Sequence, residues 1–151
     1  MKQQFTPTNN DLSYYPLLYM ALEATRGDVL ELGTGHGSTL LLNQYCGVKR
    51  FLFSFEEKPE WLNKFTHLRD MNHNLSLITD WRLVAINHPQ AQVIFIDHAP
   101  GEDRKQMILD FKDTKGIIVC HDTEPAADHG YKMRQHFPLF KYKVEVKTNG
   151  A

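Results

Sequence analysis

The sequence has few cysteines, no long apolar run and almost no net charge, and each of these absences excludes a class of protein. Two cysteines, Cys46 and Cys120, do not suggest the disulfide framework of a small secreted domain. No apolar run approaches the roughly 20 residues that a transmembrane helix requires, and residues 1–10 are too polar for a signal peptide. A formal net charge of −1 argues against a protein that grips an extended nucleic acid. We therefore expect a soluble, cytoplasmic protein that binds neither a membrane nor extended nucleic acid.

The composition and the order of the apolar segments predict a single α/β domain. The chain has 151 residues, of which 42% are hydrophobic, so we expect one core and one domain over residues 1–151. Five apolar runs have the pattern of strands: Asp28–Leu32, Arg50–Phe55, Leu75–Thr79, Gln92–Asp97 and Gly116–Cys120. The helix-like stretches are Ser13–Ala24 with Ser13 as N-cap, Ser38–Cys46, Pro59–Arg69, Trp81–Asn87 and Glu102–Phe111. This alternation predicts a three-layer α/β/α sandwich with a mostly parallel sheet.

The last segment, Phe140–Lys147, has the polar–apolar alternation of a half-buried strand. The Thr148-Asn149-Gly150 that follows would normally open a hairpin. Either the sheet edge near Val144 is open or a partner covers it. An open edge is a surface on which a second copy of the chain can add a strand, so the pattern favours a homo-oligomer formed through this C-terminal edge.

The most informative segment is Glu31–Thr39, with the sequence Glu-Leu-Gly-Thr-Gly-His-Gly-Ser-Thr. It lies between two apolar runs and predicts a strand, a tight glycine turn and a helix. Glycines allow a backbone to approach a ligand closely, and the N-terminus of the following helix offers unpaired N–H groups. Glu31 would place a carboxylate in this crevice, where it repels a pyrophosphate and attracts a cationic ligand. Dinucleotide-binding proteins have G-x-G-x-x-G instead, and Ser38 occupies the position of their third glycine.

The pattern E-x-G-x-G-x-G resembles motif I of the class I S-adenosylmethionine-dependent methyltransferases. The resemblance implies a Rossmann-like fold whose sheet, in this chain, lacks the last of the usual seven strands. It also implies that S-adenosylmethionine binds at the turn. The matching residues are Glu31, Gly33, Thr34, Gly35, Gly37 and Ser38.

Two further segments resemble the cofactor motifs of this family. Phe53–Leu62 resembles the second motif, in which an acid after the second strand accepts hydrogen bonds from both ribose hydroxyls. Glu56 is the matching acid, and Glu57 is the alternative. The segment that contains Asp80 and Trp81 resembles the third motif, in which these residues would meet the adenine. Trp81 could equally be a core or surface aromatic.

The ends of the fourth and fifth strands resemble the branch that contains catechol and sugar O-methyltransferases. Acids at these positions bind a divalent metal such as Mg²⁺ in that branch, and Asp97 and Asp122 match them. Thr123 departs from the asparagine ligand of the catechol enzymes. Asp97 would also border the cofactor, and either His121 or His98 could act as the general base. Both acids could instead cap the segments that follow them, and both histidines could be structural.

Three functions from different classes remain open. The motifs favour an enzyme that transfers a methyl group from S-adenosylmethionine to a small-molecule hydroxyl, with a divalent metal as a further cofactor. The short chain also suits a non-catalytic S-adenosylmethionine-binding module that acts through a partner. A nicotinamide-dependent oxidoreductase shares the glycine turn but is opposed by Glu31 and Ser38. We expect Tyr14, Tyr15 and the loop Glu124–Tyr131 to face the acceptor.

Overall fold

The computed structural model describes residues 12–147 and confirms the α/β class. The strands are β1 (Val29–Leu32), β2 (Leu52–Glu56), β3 (His73–Leu77), β4 (Val93–Ile96) and β5 (Ile117–Cys120). The α-helices are α1 (Tyr15–Ala24), α2 (Ser38–Cys46), α3 (Pro59–Leu62), α4 (Arg82–Asn87), α5 (Arg104–Asp110) and α6 (Pro125–Tyr131). Short 3₁₀ helices lie at Thr66–Leu68, Gly101–Asp103 and Arg134–Leu139. The strands form one sheet in the order β3-β2-β1-β4-β5, and every pairing is parallel.

Strand β1 lies at the centre of the sheet, and its alternating side chains divide the core into two layers. Leu30 and Leu32 pack in the layer that contains α4 and α5, whereas Val29 packs in the layer of α1 and α2. Because side chains alternate along a strand, Glu31 faces the same side as Val29. The sheet is therefore covered on both faces, which confirms the three-layer arrangement.

The central and outer strands differ in burial. Every residue of β1 and β4 is buried, as expected for strands covered on both faces. Strand β5 forms one edge of the sheet, and its first residue, Ile117, is exposed. Cys46 and Cys120 are both free thiols.

The predicted strand at Phe140–Lys147 is wrong. Lys141–Lys147 is exposed chain without regular structure, and the sheet edges within residues 12–147 belong to β3 and β5. Its apolar side chains, Tyr142, Val144 and Val146, stay exposed because no neighbouring strand pairs with the segment. The homo-oligomer expected through this segment remains a prediction, although the segment forms no strand to which a second copy could pair. The Thr148-Asn149-Gly150 turn and residues 1–10 lie outside the described residues.

The predicted N-cap of the first helix is also wrong. Helix α1 begins at Tyr15, and the residue in the cap position is Tyr14, which makes no side-chain capping bond. The hydroxyl of Ser13 lies instead 3.1 Å from Nε2 of His121. This contact joins the start of α1 to the end of β5.

Two other boundaries differ from the prediction. The stretch Pro59–Arg69 is not one helix, because α3 ends at Leu62 and the chain continues through the 3₁₀ turn at Thr66–Leu68. The stretch Glu124–Tyr131, expected as a loop, contains α6, which begins at Pro125 with its fixed φ suited to a first helical turn.

Candidate functional site

The carboxyl ends of the parallel strands form one edge of the sheet. The strand order reverses between β1 and β4, and ligands bind at such a point in open α/β sheets. Gly33 has a φ of 93°, and a Cβ on it would lie 2.5 Å from Cα of His98. Only glycine allows the loops after β1 and β4 to approach this closely. A Cβ on Gly35 would meet only Oγ of Ser38 within 4 Å, at 3.2 Å. The backbone at Gly35 therefore faces open space at the edge.

Glu31 lies behind the glycine turn, in the layer of α2, and not in the crevice where the sequence pattern placed it. Its carboxylate is fully buried and accepts hydrogen bonds from Ser38 Oγ at 2.6 Å, Thr39 Oγ1 at 2.9 Å and Ser54 Oγ at 2.6 Å. Burial raises the pKa of Glu31 to about 7, although these hydroxyls partly oppose the shift. The side chain thus fixes the first turn of α2 against β1.

A hydrogen-bonded chain that the sequence analysis missed continues from Glu31 across the sheet. Ser54 Oγ lies 2.9 Å from Nε2 of His73, and Nδ1 of His73 lies 2.9 Å from Nδ2 of Asn43. The Asn43 amide can only donate to His73, so the histidine carries its proton on Nε2 and donates it to Ser54. Burial lowers the pKa of His73 to about 4. The available signal was the polar Ser54 inside the apolar run of β2, whereas His73 precedes the run that was predicted as the third strand.

Glu56 points towards the glycine turn, as predicted, but its carboxylate is buried and satisfied. It accepts hydrogen bonds from the N–H of Thr34 at 3.1 Å and from the Thr34 hydroxyl at 3.0 Å. The other oxygen accepts from the N–H groups of Glu57 and Lys58 at 3.0 and 3.1 Å. A carboxylate offers about four acceptor positions, so a sugar hydroxyl can bind Glu56 only by displacing one of these donors.

The predicted adenine-contact residues, Asp80 and Trp81, both line a cavity of about 300 Å³, but they differ in exposure. Asp80 is half-exposed and forms an ion pair with Arg82 at 2.8 Å. Trp81 is buried, and its ring stacks on His98 with centroids 4.2 Å apart. Both ring nitrogens of His98 are buried and have no hydrogen-bond partner among residues 12–147, and burial lowers the pKa of His98 to about 3. His98 is thus enclosed, which does not suit it to act as a general base.

The loops after β4 and β5 bring three predicted residues, Asp97, His121 and Asp122, into one charged cluster. His121 Nδ1 lies 3.1 Å from Oδ1 of Asp97, and His121 Nε2 lies 3.5 Å from Oδ1 of Asp122. Arg104, which the sequence analysis missed, forms ion pairs with Asp97 at 3.1 Å and with Asp122 at 2.9 Å. Its Nε also donates to the carbonyl of His98 at 2.8 Å. The guanidinium is buried and held in place from three sides.

The donor set of Asp97, His121 and Asp122 has the composition of a divalent-metal site, since one ligand atom from each lies within 4.8 Å of the others. Arg104, however, already pairs with both carboxylates. A unit charge about 4 Å away repels another by about 4 kcal/mol at an effective dielectric constant of about 20, and a divalent ion by about twice as much. The arrangement therefore does not fit Mg²⁺, and the metal site remains a prediction that this geometry opposes.

A groove of about 1140 Å³ opens beside the charged cluster. It lies between α1, β5 and the segment that follows α6, and Ser13, Tyr14, His121 and Asp122 line its end at the sheet edge. Tyr14 lines the groove, and its contact with an acceptor stays a prediction. Tyr15 donates its hydroxyl hydrogen bond to the carbonyl of Gly37 instead, at 3.0 Å. A smaller cavity of about 300 Å³ lies beside Trp81.

Comparison with known proteins leaves the site to be interpreted from its geometry. No protein-family model matches the chain, and no curated protein or solved structure is significantly similar to it. None of the helices within residues 12–147 has the length and apolar character needed to span a bilayer. The structure brings Glu56, Gly35 and Asp97 to one edge but places Glu31 and His98 inside the core.

Proposed function

We propose that the chain binds S-adenosylmethionine at the carboxyl edge of β1, β2 and β4 and transfers its methyl group to a hydroxyl of a small molecule in the groove beside β5. The open backbone face at Gly35 carries the proposal. Glu56 borders the turn on one side through Thr34, and Asp97 borders it on the other through its N–H bond to the carbonyl of Leu32 at 2.9 Å. This edge offers a cationic ligand both backbone donors and carboxylates.

The residues around the turn have separate roles in this proposal. Bound there, S-adenosylmethionine would supply a methyl group on a positively charged sulfur. The backbone at Gly33 and Gly35 receives the amino-acid end, and Glu56 accepts hydrogen bonds from the ribose. Because Thr34 and two backbone N–H groups already satisfy Glu56, we expect the Thr34 hydroxyl to rotate away when the sugar binds. Glu31 acts indirectly, by fixing the start of α2 through Ser38 and Thr39.

Methyl transfer from a sulfonium ion is an in-line displacement, so the protein contributes mainly position and the removal of a proton from the acceptor. The groove provides the position, because its end at the sheet edge lies next to Asp97, His121 and Asp122. The rest of its wall includes apolar residues of α1 and β5, such as Leu17 and Val119. This lining favours an acceptor with an apolar body and one polar end.

The dinucleotide alternative is disfavoured by Ser38. In dinucleotide-binding proteins a third glycine lets the helix pack closely on the strand. Here the Ser38 hydroxyl occupies that contact and donates to the buried Glu31 at 2.6 Å.

Calorimetric titration with S-adenosylmethionine, S-adenosylhomocysteine and NADH tests the proposal. We expect submillimolar binding of both sulfur compounds and none of NADH. A Gly35→Val variant should abolish binding, because its side chain fills the open face, where only the Ser38 hydroxyl has to yield. Gly130→Val is the matched control, since a Cβ on Gly130 has no neighbour within 4 Å.

Four outcomes would contradict the proposal. The cofactor assignment is wrong if millimolar S-adenosylhomocysteine gives no heat of binding, or if Gly35→Val binds it as the wild type does. Tight binding of NADH would support the dinucleotide alternative instead. If the cofactor binds but no methylated product forms with any of a broad set of acceptors, the chain is a non-catalytic binding module.

A further inference from the structure

We propose that His121, oriented by Asp97, removes the proton from the acceptor, and that the acceptor presents one alcohol or phenol hydroxyl and not a metal-chelating pair of hydroxyls. This inference rests on the proposed methyl transfer and adds to it the base and the class of acceptor. It stands on three observations: the hydrogen bonds of His121, the position of the Ser13 hydroxyl, and the contacts of Arg104.

The hydrogen bonds of His121 fix which nitrogen can accept a proton. Nδ1 lies 3.1 Å from a carboxylate oxygen of Asp97, which can only accept, so Nδ1 carries the hydrogen in the neutral ring. Nε2 also faces a carboxylate, Oδ1 of Asp122, but at the longer distance of 3.5 Å, and its nearer contact is the Ser13 hydroxyl at 3.1 Å. The shorter bond to Asp97 therefore assigns the hydrogen to Nδ1 and leaves Nε2, on the side of the groove, as the acceptor. A histidine whose Nδ1–H is held by a carboxylate has the orientation of a general base.

The Ser13 hydroxyl marks where an acceptor oxygen would bind. Its Oγ lies 3.1 Å from Nε2 of His121, at the distance of an O–H donor, and Ser13 lines the groove. The Tyr14 ring packs edge-on against the His121 ring, with centroids 4.8 Å apart, and holds it from another side. An acceptor hydroxyl that replaces the Ser13 hydroxyl would make the same hydrogen bond to Nε2.

Arg104 takes the place that a metal would need. Its guanidinium pairs with both Asp97 and Asp122, and its own position is fixed by the carbonyls of His98 and Asp97. The ring of Tyr131 covers it, with 5.1 Å between the guanidinium carbon and the ring centroid. Without a cation to chelate, a second hydroxyl on the acceptor gains nothing. A single hydroxyl facing His121 is sufficient.

The proposed step balances in atoms and charge. The acceptor O–H transfers its proton to Nε2 of His121, and the oxygen forms a bond to the methyl carbon. The carbon–sulfur bond breaks, and its electron pair stays on sulfur, which becomes a neutral thioether. Asp97 stabilises the imidazolium of His121 until its proton passes to solvent.

Two experiments on the protein without an acceptor test the geometry. In ¹⁵N–¹H spectra of the histidine rings at about pH 8, well above the ordinary histidine pKa of about 6.5, we expect His121 to carry its proton on Nδ1. Asp97→Asn should move it to Nε2. Water relaxation with millimolar Mn²⁺ should show no binding to the wild type, whereas Arg104→Gln, which uncovers both carboxylates, should bind the ion.

Turnover tests the chemistry with matched acceptors, each phenol paired with its ortho-dihydroxy analogue. His121→Gln should bind S-adenosylhomocysteine like the wild type but lose roughly 10²–10⁴-fold in kcat. His129→Gln, which changes an exposed histidine on α6, is the control and should keep full activity. Chelator should have no effect, and the monohydroxy member of each pair should react at least as fast.

Several results would overturn the inference while leaving cofactor binding intact. They are a His121 proton on Nε2 in the wild type, stoichiometric Mn²⁺ binding that Asp97→Asn abolishes, and loss of activity with chelator. Full activity of His121→Gln would do the same. Acylation of Ser13 by an activated ester would show that the Ser13, His121 and Asp97 spacing serves a nucleophile instead. Failure of the proposed function is recognised separately, by absent S-adenosylhomocysteine binding.

Discussion

The two halves of the carboxyl edge treat their carboxylates in opposite ways. Glu31 in β1 and Glu56 at the end of β2 are buried, and each accepts hydrogen bonds from nearby hydroxyl or backbone donors. After β4 and β5, Asp97 and Asp122 stay partly exposed and share one arginine at the end of an open groove. Buried acids with neutral donors fix the turn in position. Partly exposed acids with a histidine are placed to act on a ligand.

The largest expected effect is on the half of the edge that contains Asp97 and Asp122, which we call the open half. Arg104→Met leaves Asp97 and Asp122 next to each other without their cation. We expect the free energy of unfolding, measured with urea, to fall by on the order of 3 kcal/mol, because breaking a buried ion pair leaves uncompensated charge. Lys105→Met is the control, since Lys105 is the next residue in sequence and takes no part in the ion pairs with Asp97 and Asp122. Equal stability of the two variants would show that Arg104 does not hold this half together.

In the closed half, which contains Glu31 and Glu56, we expect the free energy of unfolding to depend on pH through Glu31. The folded-state pKa of Glu31 is raised from 4.5 to about 7, so its contribution to stability is fully present below 4.5 and is lost as the pH rises through 7. Glu31→Gln removes this loss. Relative to the variant, the wild type should therefore lose on the order of 2 kcal/mol across that window. His73, with a pKa lowered to about 4, adds a slope of opposite sign to both proteins.

Urea unfolding of both proteins at several pH values measures this difference. Glu60→Gln, at an exposed glutamate of α3, should run parallel to the wild type. If the difference between wild type and Glu31→Gln does not change between pH 4.5 and 7, Glu31 is not the buried acid that the structure indicates.

Glu56→Ala sharpens the comparison on the cofactor side. The variant removes the acceptor for the sugar hydroxyls and also releases Thr34, Glu57 and Lys58. We expect the affinity for S-adenosylhomocysteine to fall more than tenfold, about 1.4 kcal/mol or more. Calorimetry should show no change for Glu60→Ala. An unchanged dissociation constant for Glu56→Ala would remove the ribose assignment.

The smallest expected effect concerns Trp61, which donates its Nε1 hydrogen bond to the carbonyl of Thr34. Trp61→Phe keeps an aromatic ring but frees this carbonyl, and we expect stability to fall by about 1 kcal/mol. The Lys64 ammonium also packs on the indole, 3.6 Å from the ring centroid. Lys64→Met is the control, because it removes this contact and keeps the hydrogen bond of Trp61. If both variants lose the same stability, the hydrogen bond to Thr34 is not what matters.

Local patterns predicted the fold well where packing agreed with them. Helix Ser38–Cys46 has the predicted bounds, and all five predicted strands form, because short apolar runs are buried in the sheet. Phe140–Lys147 has an equally clear alternation but no neighbour with which to pair. Pattern gives a segment's preference, and only tertiary contact decides whether the strand forms.

The site was predictable in position but not in detail. The strand ends identified Glu56, Asp97, His121 and Asp122, because loops that follow parallel strands meet at one edge. Arg104 was missed because it belongs to a helix, and only the fold brings its side chain to both acids. The sequence pattern placed Glu31 in the crevice, but the direction of its side chain depends on the alternation along β1. Leu30 and Leu32 face the layer of α4 and α5, so Glu31 faces the layer of α1 and α2.

A crystal structure with S-adenosylhomocysteine tests the central claim most directly. We expect the ligand's amino-acid end to lie along Gly33–Gly35 and its sulfur to face His121. Its ribose hydroxyls should bind Glu56 after the Thr34 hydroxyl has rotated away. A ligand bound elsewhere, or no ligand at Gly35 in crystals soaked to saturation, would contradict this prediction.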